Sequence, residues 1–258
     1  MNTATSADGT PIAYESLGDG RAVVIVNGAL STAADAAGLA QELVDAGYRA
    51  VTYDRRSRGS SGDAPGSTPQ REAEDLAAVI ESAGAVDAVL GHSSGAVLAL
   101  YAAGRGVPTG ALFLSEPPLR FGIEEPADDL ATRLQHYVDE GRPDDAIVTF
   151  QLEGVGLPQQ MVEAFRAGPQ FAAVLPLAQS TVYDTNLVHD SSTPSPEMLA
   201  VPGPVTILRG EQTFPILLTA ADRLAEELTG AELVIVPESV MHRPDPAATI
   251  RVVAERLG

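Results

Sequence analysis

The chain has 258 residues, 45% of them hydrophobic, enough for one large α/β core or for a core that carries an insertion. It has no cysteine, which excludes disulfides, thiolate nucleophiles and cysteine metal sites, and its net charge of −19 excludes the basic face that nucleic-acid binding needs. Its four histidines, His92, His136, His189 and His242, show no metal-ligand spacing, so no metal is expected. The first ten residues have neither a basic start nor an apolar core, and no run is long enough to span a bilayer. A cytoplasmic location, without membrane or nucleic-acid partners, is the expectation.

Residues 3–17 read as a hairpin around the turn dipeptide Asp8-Gly9. Residues 22–26 (AVVIV) are a continuous apolar run, as expected of a strand covered on both faces. They end at Asn27-Gly28-Ala29-Leu30. A helix over 35–46, a strand over 49–53, a polar Gly/Ser turn over 54–62 and a helix over 69–83 with proline at its start follow.

Residues 86–90 are a further apolar run leading into Gly91-His92-Ser93-Ser94-Gly95, and an alanine-rich helix then runs to about residue 104. This is strand, sharp turn and helix with a serine at the apex. Such a turn forces the serine backbone into a strained conformation, and glycines on either side let the helix pass close to the strand. The helix start aims free N–H groups and its positive dipole end at the same place. Ser93 therefore reads as a nucleophile.

Residues 111–114 (ALFL) form the next buried strand, ending at Ser115-Glu116-Pro117-Pro118. From there to about residue 202 no strand run appears. Helical stretches at 128–140, 144–152 and 158–167 stand between Gly and Pro, and 191–196 with 201–204 form the exit. Alternation resumes with strands over 205–208 and 232–236, a helix facing inward through Leu217, Ala220, Ala221, Leu224 and Leu228, and a last helix capped by Asp245 with Pro246 first. The predicted fold is a mostly parallel sheet with helices on both faces. Residues 1–116 and 203–258 form its core, and 117–202 a helical lid.

Four features together resemble the α/β-hydrolase fold over nearly the whole chain: Asn27-Gly28 after an early strand, the stretch 53–63 (YDRRSRGSSGD), GHSSG at 91–95, and the late His242. The resemblance implies a triad in the order serine, acid, histidine and hydrolysis of an ester-like bond through an acyl-enzyme. His242 is the implied base. The backbone N–H groups of Ala29 and Ser94 are the implied oxyanion donors. Asn27 stands where many members have histidine, which changes how this loop is anchored. Asp54 and its arginine neighbours match a structural turn, expected to brace nearby loops. His92 is expected to pack or to line the pocket, and His136 and His189 to lie on the surface.

The acid departs from the common pattern. Many members place aspartate three residues after the glycine that ends the strand beyond the lid, and here that position is Thr213. Glu116, on the loop after the strand following the elbow helix, is the assigned acid, with Glu211 and Asp54 as alternatives. The implied substrate is a small, largely apolar carboxylic ester or lactone. The lid residues Leu119, Phe121, Phe150, Phe165, Phe171 and Tyr183 are expected to supply its pocket. No flavin, nicotinamide or other cofactor is expected. Lyase, C–C hydrolase or cyclase chemistry on the same triad, and non-catalytic ligand binding, are the alternative functions.

Overall fold

The computed structural model describes residues 1–258, and the chain enters it as a hairpin. Strands β1 (Asn2–Thr5) and β2 (Pro11–Leu17) pair antiparallel. Asp8 Oδ1 accepts from Thr10 N at 3.0 Å, and Gly9 takes φ 87°, a left-handed value that suits glycine. Then come β3 (Ala22–Val26), α1 (Ala37–Asp45), β4 (Arg49–Tyr53), α2 (Pro69–Ala83), β5 (Ala88–His92), α3 (Ser94–Gly104) and β6 (Ala111–Ser115). Only helices lie between β6 and β7: α4 (Leu130–Asp139), α5 (Pro143–Thr149), a π-helix (Phe150–Val155), α6 (Gln159–Arg166), α7 (Phe171–Val174), α8 (Ala178–Asp190) and α9 (Pro196–Leu199). The chain ends with β7 (Val205–Arg209), α10 (Pro215–Glu227), β8 (Glu232–Ile235) and α11 (Pro246–Leu257).

The eight strands form one sheet in the order β1-β2-β4-β3-β5-β6-β7-β8, parallel from β4 to β8. The continuous apolar strands serve two faces. In β3, Val24 and Val26 join the core that includes α2, α3 and α10, whereas Val23 and Ile25 join the one that includes α1 and α11. Because β4 lies on one side of β3 and β5 on the other, the chain changes direction there. The loops after β3 and β5 leave a crevice at the carboxyl edge of the sheet, where open α/β sheets bind ligands. No helix is long and apolar enough to cross a membrane.

Two predicted elements differ. The elbow strand is Ala88–His92 rather than 86–90. Asp87 keeps backbone bonds to both neighbours, its N–H to Ala22 O and its carbonyl from Ala111 N, and its carboxylate also accepts from Arg21 Nε and Ala22 N at 3.0 and 3.1 Å, while Gly91 and His92 pair with Leu114 and Ser115 and carry the strand into the turn. Helix α8 has no counterpart among the predicted helical stretches, because it lacks an apolar stripe. It is buried on most sides, and its Ser180, Thr181, Asp184 and Thr185 are buried polar residues. The hydroxyls of Ser180, Thr181 and Thr185 return to the carbonyls of Leu177, Ala178 and Thr181, each at 2.7 Å.

Candidate active site

Ser93 stands between β5 and α3 with φ 55° and ψ −128°, a backbone region of high cost for a residue with a side chain. Close packing imposes it. A Cβ on Gly95 would lie 2.1 Å from the Val26 carbonyl oxygen, and one on Gly91 would lie 2.5 Å from Ala96 Cα. Only glycine at both places lets α3 press onto the sheet, and that pressure holds the serine out at the sheet edge.

His242 lies in the loop between β8 and α11. Met241 N donates to Gln212 O at 2.7 Å, and Asp245 N to Ser239 Oγ at 3.0 Å, which fixes the loop on either side of the imidazole. His242 Nδ1 is 2.6 Å from Glu116 Oε2. Glu116 also accepts from Gly210 N at 2.9 Å and from Thr213 Oγ1 at 3.0 Å. Burial alone would raise the Glu116 carboxyl, but the bonds from His242, Gly210 and Thr213 outweigh it and hold the group below its ordinary value. Thr213, at the usual acid position, thus supports an acid that comes from another strand. Glu211 is exposed to solvent. Glu116 and His242 share with Ser93 a positive φ, 48° and 62°.

The loop after β3 forms the opposite wall. Asn27 Nδ2 donates to Thr32 O at 2.6 Å, and Ser31 Oγ to Gly28 O at 2.6 Å, so the loop is tied across itself. Arg58 Nη1 also donates to Gly28 O, at 3.3 Å. In a planar trans peptide the C=O and the following N–H point in opposite directions. Holding Gly28 O toward Arg58 therefore turns Ala29 N–H to the other side. The same geometry applies at the elbow: Ser93 O accepts from Ala96 N at 2.9 Å within the first turn of α3, so Ser94 N–H points away from the helix. Gly28 is close enough to Ser93 that an added Cβ would lie 3.4 Å from Oγ.

Ser93, His242, Asn27, Gly28 and Ala29 line one cleft of about 350 Å³. Its far wall comes from the helical segment, through Phe150, Gln151, Val155 and Leu157. Of the six aromatic and leucine residues expected to build the pocket, only Phe150 lies there. Leu119 and Phe121 pack into the sheet core, and Phe165, Phe171 and Tyr183 pack in the separate core of the helical segment, because that segment needs an interior of its own. A larger groove, about 650 Å³, lies beside β2 and α1; it contains neither Ser93 nor His242. His92 lines the cleft with its ring 4.6 Å from the His242 ring, and burial holds it neutral far below the usual histidine range. His136 and His189 are exposed. No group of three or more His, Asp or Glu side chains is close enough to hold a metal ion.

Beneath the elbow lies a buried charge network. Arg55, Arg56 and Arg58 are each at most 2% exposed. Arg55 donates to Glu72 Oε1 at 2.9 Å, to Asp184 Oδ1 at 2.9 Å, to Ser94 Oγ at 3.1 Å and to Asn27 O at 3.3 Å. Arg58 donates to Asp184 Oδ2 at 2.7 Å. Arg56 forms a bidentate pair with Asp75, both bonds at 2.7 Å. Asp54, on the same turn, accepts from Ala33 N at 2.7 Å and Ser60 N at 2.8 Å and so braces two loops.

The sequence profile of the Alpha/beta hydrolase family matches residues 23–252. The chain belongs to that family. Among solved structures, it is similar to an alpha/beta hydrolase from Sphaerobacter thermophilus, with 37% identity, a TM-score of 0.92 and full coverage of both chains (100% each). The fold is shared with a thermophilic esterase from Thermogutta terrifontis, at 19% identity and a TM-score of 0.73 over 99% of this chain and 96% of that one. A non-heme haloperoxidase from Rhodococcus erythropolis is 34% identical over 137 residues, 50% of each protein, so the chain spans about half the length of the curated relative it matches.

In this hydrolase-family chain, sequence reasoning did not find Asp184 or Gln151 as site residues. Asp184 sits in a helix without periodicity, and Gln151 beside a phenylalanine in an apolar stretch. Neither carries a motif. The three arginines were visible as charges, but nothing local marks them as buried.

Proposed function

We propose that the chain is a serine hydrolase that cleaves a carboxylic ester or lactone through an acyl-enzyme on Ser93. His242 is the base, Glu116 the acid that orients it, and Ala29 and Ser94 N–H the oxyanion donors. The observation that carries this reading is the 2.6 Å contact between Glu116 and His242 on the cleft that Ser93 lines. An ionised carboxylate only accepts, so the Nδ1 of a neutral His242 carries the proton and Nε2 keeps its lone pair. Nε2 takes the Ser93 proton as Oγ attacks the carbonyl carbon. The resulting oxyanion meets the two backbone N–H groups, and His242 returns the proton to the departing alkoxide. Water then repeats the sequence on the acyl-enzyme and releases the acid.

Residues 117–202 act in this proposal as a cap over a core of 1–116 and 203–258, and the four wall residues from the helical segment support that role. The substrate is small and largely apolar. The test is labelling with a fluorophosphonate, followed by peptide mapping, together with hydrolysis of short p-nitrophenyl esters. Labelling should fall on Ser93 alone, and Ser93→Ala should lower kcat by roughly 10⁴-fold or more. Labelling that persists in Ser93→Ala at the wild-type level would refute the assignment. A labelled protein that turns over no ester would direct attention to lyase or cyclase chemistry.

A further inference from the structure

Several polar groups of the cleft are engaged within the chain, whereas His92 Nδ1 and Gln151 Oε1 are buried there without a partner, His92 against the His242 ring. Asn27 donates to Thr32, Ser31 to Gly28 O, and Asp35 accepts from Thr32 N at 2.8 Å, while His242 is paired with Glu116. Gln151 is only 8% exposed, and no donor reaches its Oε1, which is shut off from solvent. Buried amide oxygens almost always have a donor, because leaving one unpaired forfeits its hydration without return. Gln151 stands in the wall beside apolar Phe150, Val155 and Leu157. It also belongs to the π-helix, an irregularity common at functional sites, which brings the consecutive residues Phe150 and Gln151 both to the cleft. A mostly apolar pocket with a few placed polar groups is how a small-molecule site fixes orientation.

The lining includes no arginine or lysine, so a carboxylate on the ligand would find no counter-charge there. The net charge of −19 acts in the same direction. We propose that Gln151 is a specificity-determining residue, whose side chain turns on substrate binding so that its oxygen leaves its unpaired buried position and accepts from a neutral hydrogen-bond donor, a hydroxyl or an N–H, on the part of the substrate lying against the π-helix. The inference deepens the serine-hydrolase reading, since it defines which esters or lactones the site prefers, but recognition by Gln151 can be measured without turnover.

The experiment uses ligands with an amide in place of the ester: butyranilide, the same compound hydroxylated at each chain carbon in turn, and the corresponding acetamido compounds. Dissociation constants are measured calorimetrically with Ser93→Ala protein, alone and combined with Gln151→Leu or Gln151→Glu. At least one donor-bearing ligand should bind roughly ten-fold tighter than butyranilide, the effect of about one recovered hydrogen bond. The preference should vanish in Gln151→Leu and persist in Gln151→Glu, which keeps an acceptor. The hydroxyl and acetamido series show which donor is read. Equal binding by all ligands to the Gln151 protein, or a preference that survives in Gln151→Leu, would overturn the inference. Failure of the fluorophosphonate to label wild-type protein would instead strike the nucleophile assignment, and the binding ratios would still decide on Gln151.

Discussion

Ser94 Oγ donates to Asp184 Oδ1 at 2.7 Å, which ties the first turn of the elbow helix to α8 where the two residues are 2% and 1% exposed. Arg55 donates to both, and Arg58 holds the second Asp184 oxygen while reaching Gly28 O. One carboxylate from the helical segment thus positions two guanidinium groups that touch the loop after β3. Burial would raise the Asp184 carboxyl, but Arg58 and Arg55 outweigh it and keep the group ionised below its ordinary value. Asp184→Asn leaves two buried arginines with one acid, Glu72, and is expected to cost about 3–5 kcal/mol. Thermal unfolding should register it as a loss of roughly 10 °C in Tm.

Arg58→Met should act on the reaction more than on binding. It releases Gly28 O, and with it the orientation of Ala29 N–H. The expected result is a fall in kcat of the order of 10²-fold, the scale for loss of one oxyanion donor, with KM little changed. Steady-state kinetics on one activated ester checks the split.

Three isosteric variants compare the candidate acids. Glu116→Gln should lower kcat by up to about 10⁴-fold, since an amide at that place supports the wrong His242 tautomer. Glu211→Gln, on an exposed side chain, should leave kcat near wild type. Asp54→Asn weakens two loop bonds and should cost about 1–2 kcal/mol of stability with a small change in kcat. Collapse of activity in Glu211→Gln with Glu116→Gln intact would reverse the assignment.

Two glycine substitutions should separate folding from chemistry. At Gly95 an added methyl would meet the Val26 carbonyl oxygen at 2.1 Å, so Gly95→Ala should yield little folded protein. At Gly28 the methyl would meet the Ser93 side chain, Cβ at 2.8 Å and Oγ at 3.4 Å. Gly28→Ala should therefore keep most of its Tm while losing fluorophosphonate reactivity, measured as the labelling rate.

Phe150 lines the cleft, whereas Phe165 packs edge-on against Phe171 with ring centroids 5.8 Å apart. Phe150→Ala should change the ranking of esters by kcat/KM. Phe165→Ala should lower Tm and leave the ranking intact. Equal rankings in both variants would remove Phe150 as a selector.

The Glu116 carboxyl also makes a pH prediction. Its folded pKa lies below the ordinary 4.5, so its stabilising contribution is complete above that pH and is lost as pH falls through the lower folded value. Wild type should therefore lose more Tm on acidification through this window than Glu116→Gln, which gains no proton. The difference in Tm between the two proteins should narrow from neutral pH to about pH 3. A constant difference would show that Glu116 binds protons alike in the folded and unfolded chain.

Local sequence determined the elements and the order in which they meet. Alternation of apolar runs with amphipathic helices dictates a parallel sheet. Proline at 69, and aspartate and proline at 245–246, mark helix starts that the fold uses as read. The elbow was legible because its chemistry is local: two glycines and a serine within five residues force one backbone shape. Tertiary structure decided whatever depends on partners distant in sequence. Glu116 meets His242 across 126 residues, and Asp184 meets Arg55 across 129. A charge reads as exposed until the opposite charge that permits its burial is brought beside it. The same holds for the cleft wall. Phe150 and Phe165 are alike as sequence and both pack in the helical core, and only the tertiary structure brings Phe150 to the cleft as well.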